Sequence, residues 1–367
     1  MKEKPRPTIL TLDAGGTNFV FSAIRDYAQI ADPVSYPAYG DDLNKCLKNI
    51  VDGFAKVAEA VSSFDAISFA FPGPADYDLG IIGDLPNFRA FNGGVALGPM
   101  LEQRFDVPVF INNDGNLFAS GVSKAGYLPW LNQQLEQAAS RKRYKNVIGI
   151  TLGTGFGCGI VCNGQLITGD NSCGGEIHNT LNGVHAEWNA EESVSTRAIQ
   201  RVYAEQSGIR VNDKLLPGEI YNIAKGKWDG NAEAAMTAFV QYGEALGLSI
   251  ANVLTLIDGI VVIGGGISAA WDLFAPAMFK SINKPFQAPS GQTNPRLSYK
   301  VFNLEDKREF TEFIMGAPRR IHVPGSDTIV EYDRVQRSGV ALSNINASLA
   351  ISLGAYDFAL QKLNHEK

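Results

Sequence analysis

The chain has 367 residues, 45% of them apolar and 19% charged, which suits two domains or one large one and excludes disordered and fibrous classes. Its 32 Lys and Arg against 38 Asp and Glu give a net charge of -6. That excludes a basic nucleic-acid footprint, so any bound anion must be held mostly by backbone amides and a metal. Glycine, at 38 residues, is about one in ten against a usual share of about 7%.

Thr8 to Leu12 is apolar and β-branched, Asp13-Ala14-Gly15-Gly16-Thr17-Asn18 turns it, and Phe19 to Ile24 is extended again, which predicts a hairpin. Leu43, Leu47, Ile50, Val51, Phe54, Val57, Ala58 and Val61 have the spacing of one helical face. Ala66 to Phe71 is a buried strand ended by Pro72-Gly73-Pro74, and Val107 to Ile111 another, closed by Asn112-Asn113-Asp114-Gly115. A second half begins after a polar stretch, Asn132 to Lys145. There Val147 to Leu152, the turn Gly153-Thr154-Gly155-Phe156-Gly157, and Cys158 to Cys162 repeat the strand, glycine turn, strand plan. Two phosphate-sized hairpins, one per half, imply a cleft between two lobes of an α/β protein. Ala234 to Leu254 is a long amphipathic helix, and the strand Ile260 to Ile263 runs into Gly264-Gly265-Gly266. From about 285 to 343 regularity is lost, apart from short β-like runs such as Ile329 to Tyr332; Ser348 to Leu363 is helical.

The four cysteines, Cys46, Cys158, Cys162 and Cys173, are too few and uneven for a disulfide framework. MKEKPRPTIL has no leader pattern, and no apolar run reaches the roughly 18 residues of a membrane span. The expectation is a soluble cytoplasmic protein with neither membrane nor nucleic-acid partners.

Glycines let backbone N–H groups approach phosphate oxygens, and Thr17 adds a hydroxyl. Asp13 beside Gly15 and Gly16 then suits a magnesium ion held through water, while an ordinary hairpin turn fits the same residues. The Gly-Lys-Ser/Thr ending of a Walker loop is missing. Gly153, Thr154, Gly155 and Gly157 exceed what a turn needs, and Gly264, Gly265 and Gly266 suit a base or ribose lying on the backbone. Three such loops at strand ends favour a nucleotide. Asn112 to Asn116 reads either as a turn with a helix N-cap or as the seat of a general base, Asp114, with Asn113 bonding neighbouring hydroxyls. Phosphoryl transfer needs positioning and charge neutralisation more than a strong base. Glu176, His178 and Asn179 behind Gly174-Gly175 suit vicinal sugar hydroxyls. Glu191 and Glu192 offer another acceptor or a solvated helix start. His178, His185 and Cys173 have no standard zinc spacing.

Together these motifs resemble the ROK family, the sugar kinases and sugar-responsive repressors of the actin and hexokinase superfamily. They stand in family order: Asp13-Ala-Gly-Gly-Thr, Phe71-Pro-Gly-Pro, Asn112-Asn-Asp-Gly-Asn, Leu152-Gly-Thr-Gly-Phe-Gly, Gly175-Glu-Ile and Ile263-Gly-Gly-Gly-Ile. The resemblance implies a two-lobed actin-like, hexokinase-like α/β ATPase fold with its active site in the interlobe cleft. One lobe would comprise 1–115 and 346–367, with the first phosphate loop and a closing C-terminal helix. The other would comprise 116–345, with the second phosphate loop and the nucleotide site. The resemblance puts the general base on Asp114 and sugar contacts on Asn113, Glu176 and Glu191. Gly73 and Asn87, the latter in Leu85-Pro86-Asn87-Phe88, fall on the sugar side. ATP, magnesium and a homodimer are implied. Two departures stand out. After Gly175-Glu176 the chain reads Ile177, His178, Asn179, so either His178 or Asn179 replaces the family histidine. The three cysteines that complete the family zinc site are gone, with Asn182, Val184 and Asn189 at their spacing, so no structural zinc is expected. Residues 285–343 are read as an insertion forming an extra lobe, a cap or a dimer contact.

The expected activity is transfer of the ATP γ-phosphoryl group to a hydroxyl, the 6-OH, of a hexose or N-acetylhexosamine. A catalytically silent sugar sensor is the alternative. A repressor is disfavoured, since only seven residues precede the first strand, too few for a helix-turn-helix.

Overall fold

The computed structural model describes residues 6–15, 17–73, 75–83, 89–211 and 215–365. The chain divides into two compact units, one formed by 1–126, 159–175 and 345–367 and the other by 127–158 and 176–344.

In the first unit, Thr8–Ala14 (β1) and Asn18–Arg25 (β2) form the expected hairpin, with Asp13 opposite Val20 and Ala14 opposite Phe19. The helix Leu43–Ala58 (α1) starts at Asp42, whose carboxylate accepts from the Lys45 N–H. It leads to Ala66–Ala70 (β3), which lies parallel to β1 on the side away from β2. Val109–Asn112 (β4) adds a further parallel strand beside β3.

Alternation along β1 decides what covers each face of this sheet. Leu10 and Leu12 join α1 and the phenylalanines 19, 21, 54, 69, 71 and 91 in one core. Ile9 packs instead with Ile24, Ala66, Leu353, Tyr356 and Ala359 under the terminal helix Ala347–His365. That helix runs against Asp114–Lys124 (α2) so closely that a Cβ on Gly121 or Gly354 would overlap the backbone of the opposite helix. Between them Asp357, 3% exposed, accepts from Ser120 Oγ, Tyr27 Oη and Gln361 Nε2.

The second unit opens on the helix Tyr127–Gln137, which takes up the first part of the polar stretch Asn132 to Lys145. Tyr127, Leu128, Leu131 and Leu135 bury one face, and the Gln-rich remainder is its wet side. Val147–Leu152 (β5) and Phe156–Cys162 (β6) follow, the latter running on into the first unit. The 25-residue helix Ala232–Leu256 (α3) precedes Ile260–Gly264 (β7), parallel to β5. The helix Trp271–Ile282 (α4) packs on α3 where Gly243 and Gly247 meet the backbone of Phe274 and Met278.

Beyond α4 the expectation of an irregular insertion over 285–343 is corrected. Lys300–Asn303 (β8) and Arg337–Leu342 (β11) are sheet strands, β11 parallel to β7 and β8 parallel to β11. What stands off the sheet is narrower: a small hairpin, Phe286–Gln287 with Thr293–Asn294, the helix Lys307–Met315, and the hairpin Pro318–His322 (β9) with Ile329–Asp333 (β10). The sequence looked irregular because sheet strands and surface hairpins alternate within sixty residues without a helix-length period. Among the described residues no helix is long and apolar enough to cross a membrane.

Candidate active site

In the first unit, strand pairing brings three predicted elements to one edge. Asp13 pairs with Ala70 across β1 and β3, and Ala70 pairs with Asn112 across β3 and β4. The carboxyl ends of three parallel strands therefore carry the glycine turn, Phe71-Pro72-Gly73 and Asn112-Asn113-Asp114 side by side. Such ends are where open α/β sheets bind ligands.

Asn113 is the N-cap of α2, with Oδ1 accepting from the Gly115 N–H at 2.8 Å. Asn112 Oδ1 accepts from the Asn113 N–H at 2.8 Å and from Asn116 Nδ2 at 3.0 Å, which fixes the chain entering the helix. Asp114 is the first helical residue, and its Oδ1 accepts from the Gly115 N–H at 2.8 Å. The N-cap reading and the general-base reading thus concern neighbouring residues, Asn113 and Asp114, and are compatible. The positive end of the helix dipole lies beside the Asp114 carboxylate.

Asp13 makes no side-chain hydrogen bond among the described residues, so its acceptor-only carboxylate at a strand end fits a hydrated magnesium ion. Thr17 is exposed and its carbonyl accepts from the Ala38 N–H, while Gly15 is held close to Asn18 O. Gly73 lies against Tyr77, whose hydroxyl donates to Phe71 O at 3.0 Å. Gly16 and Asn87, with the rest of Leu85 to Phe88, lie outside the described residues.

The second unit repeats this logic. Thr151 pairs with Gly264, so the Gly153–Gly157 turn and Gly264–Gly266 leave adjacent strand ends. Gly265 has φ +91°, and a side chain there would strike Leu152, so the two glycine loops are in backbone contact. Among the described residues nothing beyond the adjoining chain lies within 4 Å of where a Cβ on Gly153 or Gly266 would sit, which leaves both backbones approachable. Thr154 is exposed, and Gly157 packs on Thr151.

Glu176, Glu191 and His178 come together here. Glu176 Oε2 lies 2.9 Å from His178 Nδ1. That hydrogen bond raises the imidazole's pKa; burial opposes the shift, and the charges of Glu176 and Glu191 add to it. Of the two candidates for the family histidine position, His178 carries the side chain joined to Glu176, while Asn179 is exposed and its N–H donates to Glu176 O. Glu191 Oε2 accepts from the Phe156 N–H at 3.0 Å and lies 2.7 Å from where a Gly155 Cβ would be, so a carboxylate expected on the sugar braces the phosphate loop. Arg197 donates to Glu191 Oε1 and to both Glu192 oxygens.

Sequence reasoning missed Thr196, Arg197 and Asn182. Thr196 N–H and Oγ1 both donate to Gly153 O at 3.0 Å, pinning the loop to the start of the helix Thr196–Ser207. Ser195-Thr196 ahead of Ile199, Val202 and Tyr203 is a helix-start signal that would have found Thr196 and Arg197, whereas Asn182 stands out only by its place at a missing cysteine. The residues at the zinc spacing do not fit that metal. Asn182 and Asn189 are amides engaged with backbone, Val184 has no donor atom in its side chain, and among the described residues no three His, Cys, Asp or Glu side chains are placed to hold a metal ion.

Residues 9–303 match the ROK family. The chain belongs to that family. It has the family's actin-like, hexokinase-like ATPase fold. A crystal structure of a glucokinase from Parabacteroides distasonis is 49% identical, with a TM-score of 0.85 over 98% of this chain and 99% of that one. Glucokinase of Thermotoga maritima is 24% identical over 76% of this chain and 88% of its own. N-acetyl-D-glucosamine kinase of Vibrio cholerae is 27% identical over 74% and 88%.

Proposed function

We propose that this ROK protein is an ATP-dependent hexokinase that phosphorylates the 6-hydroxyl of glucose. The reading rests chiefly on Asp114, placed as the first residue of α2 at the strand edge that also carries the Asp13 turn. Near-complete coverage by a 49%-identical structure described as a glucokinase supports glucose over other hexoses.

In this reading the working residues are Asp13, Asn113 and Asp114, together with Glu176, His178, Glu191 and the glycines of the second loop. Glu176 and His178 hold sugar hydroxyls, with Glu191 oriented beside them, and Asn113 and Gly73 contribute on the acceptor side. The sugar oxygen attacks the γ-phosphorus of ATP, an O–P bond forms as the bond to ADP breaks, and the hydroxyl proton passes to the Asp114 carboxylate. Magnesium bound with ATP neutralises charge on the phosphates, and Asp13 is the residue that would hold its water shell. Backbone N–H groups of Gly15, Thr17 and Gly153 to Gly157 take the phosphate oxygens.

ADP release with magnesium and ATP, measured across hexoses and N-acetylhexosamines, tests this. Glucose is expected to give the highest kcat/KM, with Asp114→Asn folded and slowed about 10²-fold or more. N-acetylglucosamine as the preferred acceptor would move the assignment to the activity named for the Vibrio relative. No turnover on any sugar by a folded protein would favour a silent sugar sensor.

A further inference from the structure

The segment between the two carboxylates is closed by backbone bonds at its neck and filled by one side-chain amide. The Ala190 N–H donates to Thr180 O at 2.9 Å and Leu181 bridges Asn189, so 180–190 is a loop with a narrow neck. Glu176 and His178 lie just before this neck and Glu191 just after it. Inside the loop Asn182 is 4% exposed and uses its whole amide. Oδ1 accepts from the N–H groups of Val184 at 2.9 Å and His185 at 3.0 Å. Nδ2 donates to Asn189 O at 2.9 Å and Ser193 Oγ at 2.8 Å. Only one orientation of the amide satisfies two donors and two acceptors, so its direction is fixed by the network. The two acceptors bracket Glu191 in sequence. The tip is packed as well, with His185 on Trp188 at 4.1 Å between centroids and the Arg201 guanidinium 4.6 Å over Trp188.

We propose that Asn182 is a positioning residue for sugar binding: its amide holds the 180–190 loop in the shape that sets Glu191 against Glu176 and His178, with no metal in that role. A buried amide with four partners supplies what a multidentate ligand site would, and removing it leaves two N–H groups and a carbonyl unpaired inside the loop. The inference rests on the sugar-kinase reading for its consequence and on the hydrogen bonds alone for its structural half.

The test compares wild type, Asn182→Ala and Asn182→Asp by amide hydrogen exchange over 180–193 and by steady-state kinetics. Asn182→Ala should speed exchange in that segment and raise the sugar KM about tenfold or more, with ATP KM and kcat within about twofold. Asn182→Asp keeps the acceptor half and loses the donors, so it should fall between on both readouts and carries the test if the alanine variant does not fold. Wild type stripped with a zinc chelator and assayed in excess magnesium should keep its exchange and sugar KM; a change in either overturns the metal-free role. Unaltered exchange in Asn182→Ala overturns the staple, and faster exchange with unchanged sugar KM overturns the positioning. A wild type that turns over no sugar defeats the kinase reading and the positioning together, while exchange still decides the staple.

Discussion

His178 shows how one contact sets a property that the residue type leaves open. Its imidazole bonds Glu176, which raises its pKa above the ordinary value of about 6.5. A group whose folded pKa is raised stabilises the fold fully below its unfolded pKa and loses that contribution as pH climbs through the folded value. His178→Gln should therefore cost most stability near about pH 5.5 and converge on wild type by about pH 9, as read by melting temperature across that range. A constant difference at all pH values would mean that the ring packs without titrating. The thiols follow burial in the same way. Burial pushes Cys46 and Cys158 up to about 12, with nearby carboxylates adding to the shift, whereas Cys173 is exposed in the loop before Glu176.

Arg337, the first residue of β11, shows why the stretch after α4 is built around strands. Its side chain is fully buried, paired with Asp333 at the end of β10, and donates from Nε to Phe313 O at 2.6 Å. The guanidinium lies 5.5 Å from the Phe313 ring centroid, and Tyr144 Oη donates to Arg337 O at 2.7 Å. One cation thus ties the β9–β10 hairpin and the helix Lys307–Met315 to the sheet. Truncation leaves Asp333 without its cation, so Arg337→Ala should cost about 3 kcal/mol or more in urea unfolding. Replacing both partners by apolar residues should recover much of that loss; equal costs for the single and double variants would assign the effect to packing rather than charge.

The molecule as a whole should report its ligand through stability. A sugar that binds only the folded chain raises stability by RT ln(1 + [L]/Kd), about 2.7 kcal/mol at a hundredfold excess over Kd. Glucose is expected to raise the melting temperature by several degrees, and Glu176→Ala should abolish that rise while Asp114→Asn retains it. Loss of the shift in both variants would place Asp114 in binding rather than in proton transfer.

Much of this protein can be read along the chain because its signals are local. A glycine turn needs its glycines in sequence, a hairpin needs two β-branched runs around it, and an N-cap needs Asn or Asp before an apolar run. So both glycine turns, the Asn113-Asp114 helix start and Glu176-Ile177-His178 are legible as motifs. Tertiary structure decided what adjacency in sequence cannot express. Parallel pairing puts Asp13 level with Asn112, 99 positions later, through Ala70. Glu191 braces Phe156 from 35 positions away, and Asn182 holds a loop that in sequence is only an aperiodic mix of polar and apolar residues. Strands β8 and β11 were hidden for the same reason: a strand's partner lies elsewhere in the chain, so its stability is settled by pairing and burial rather than by its own period.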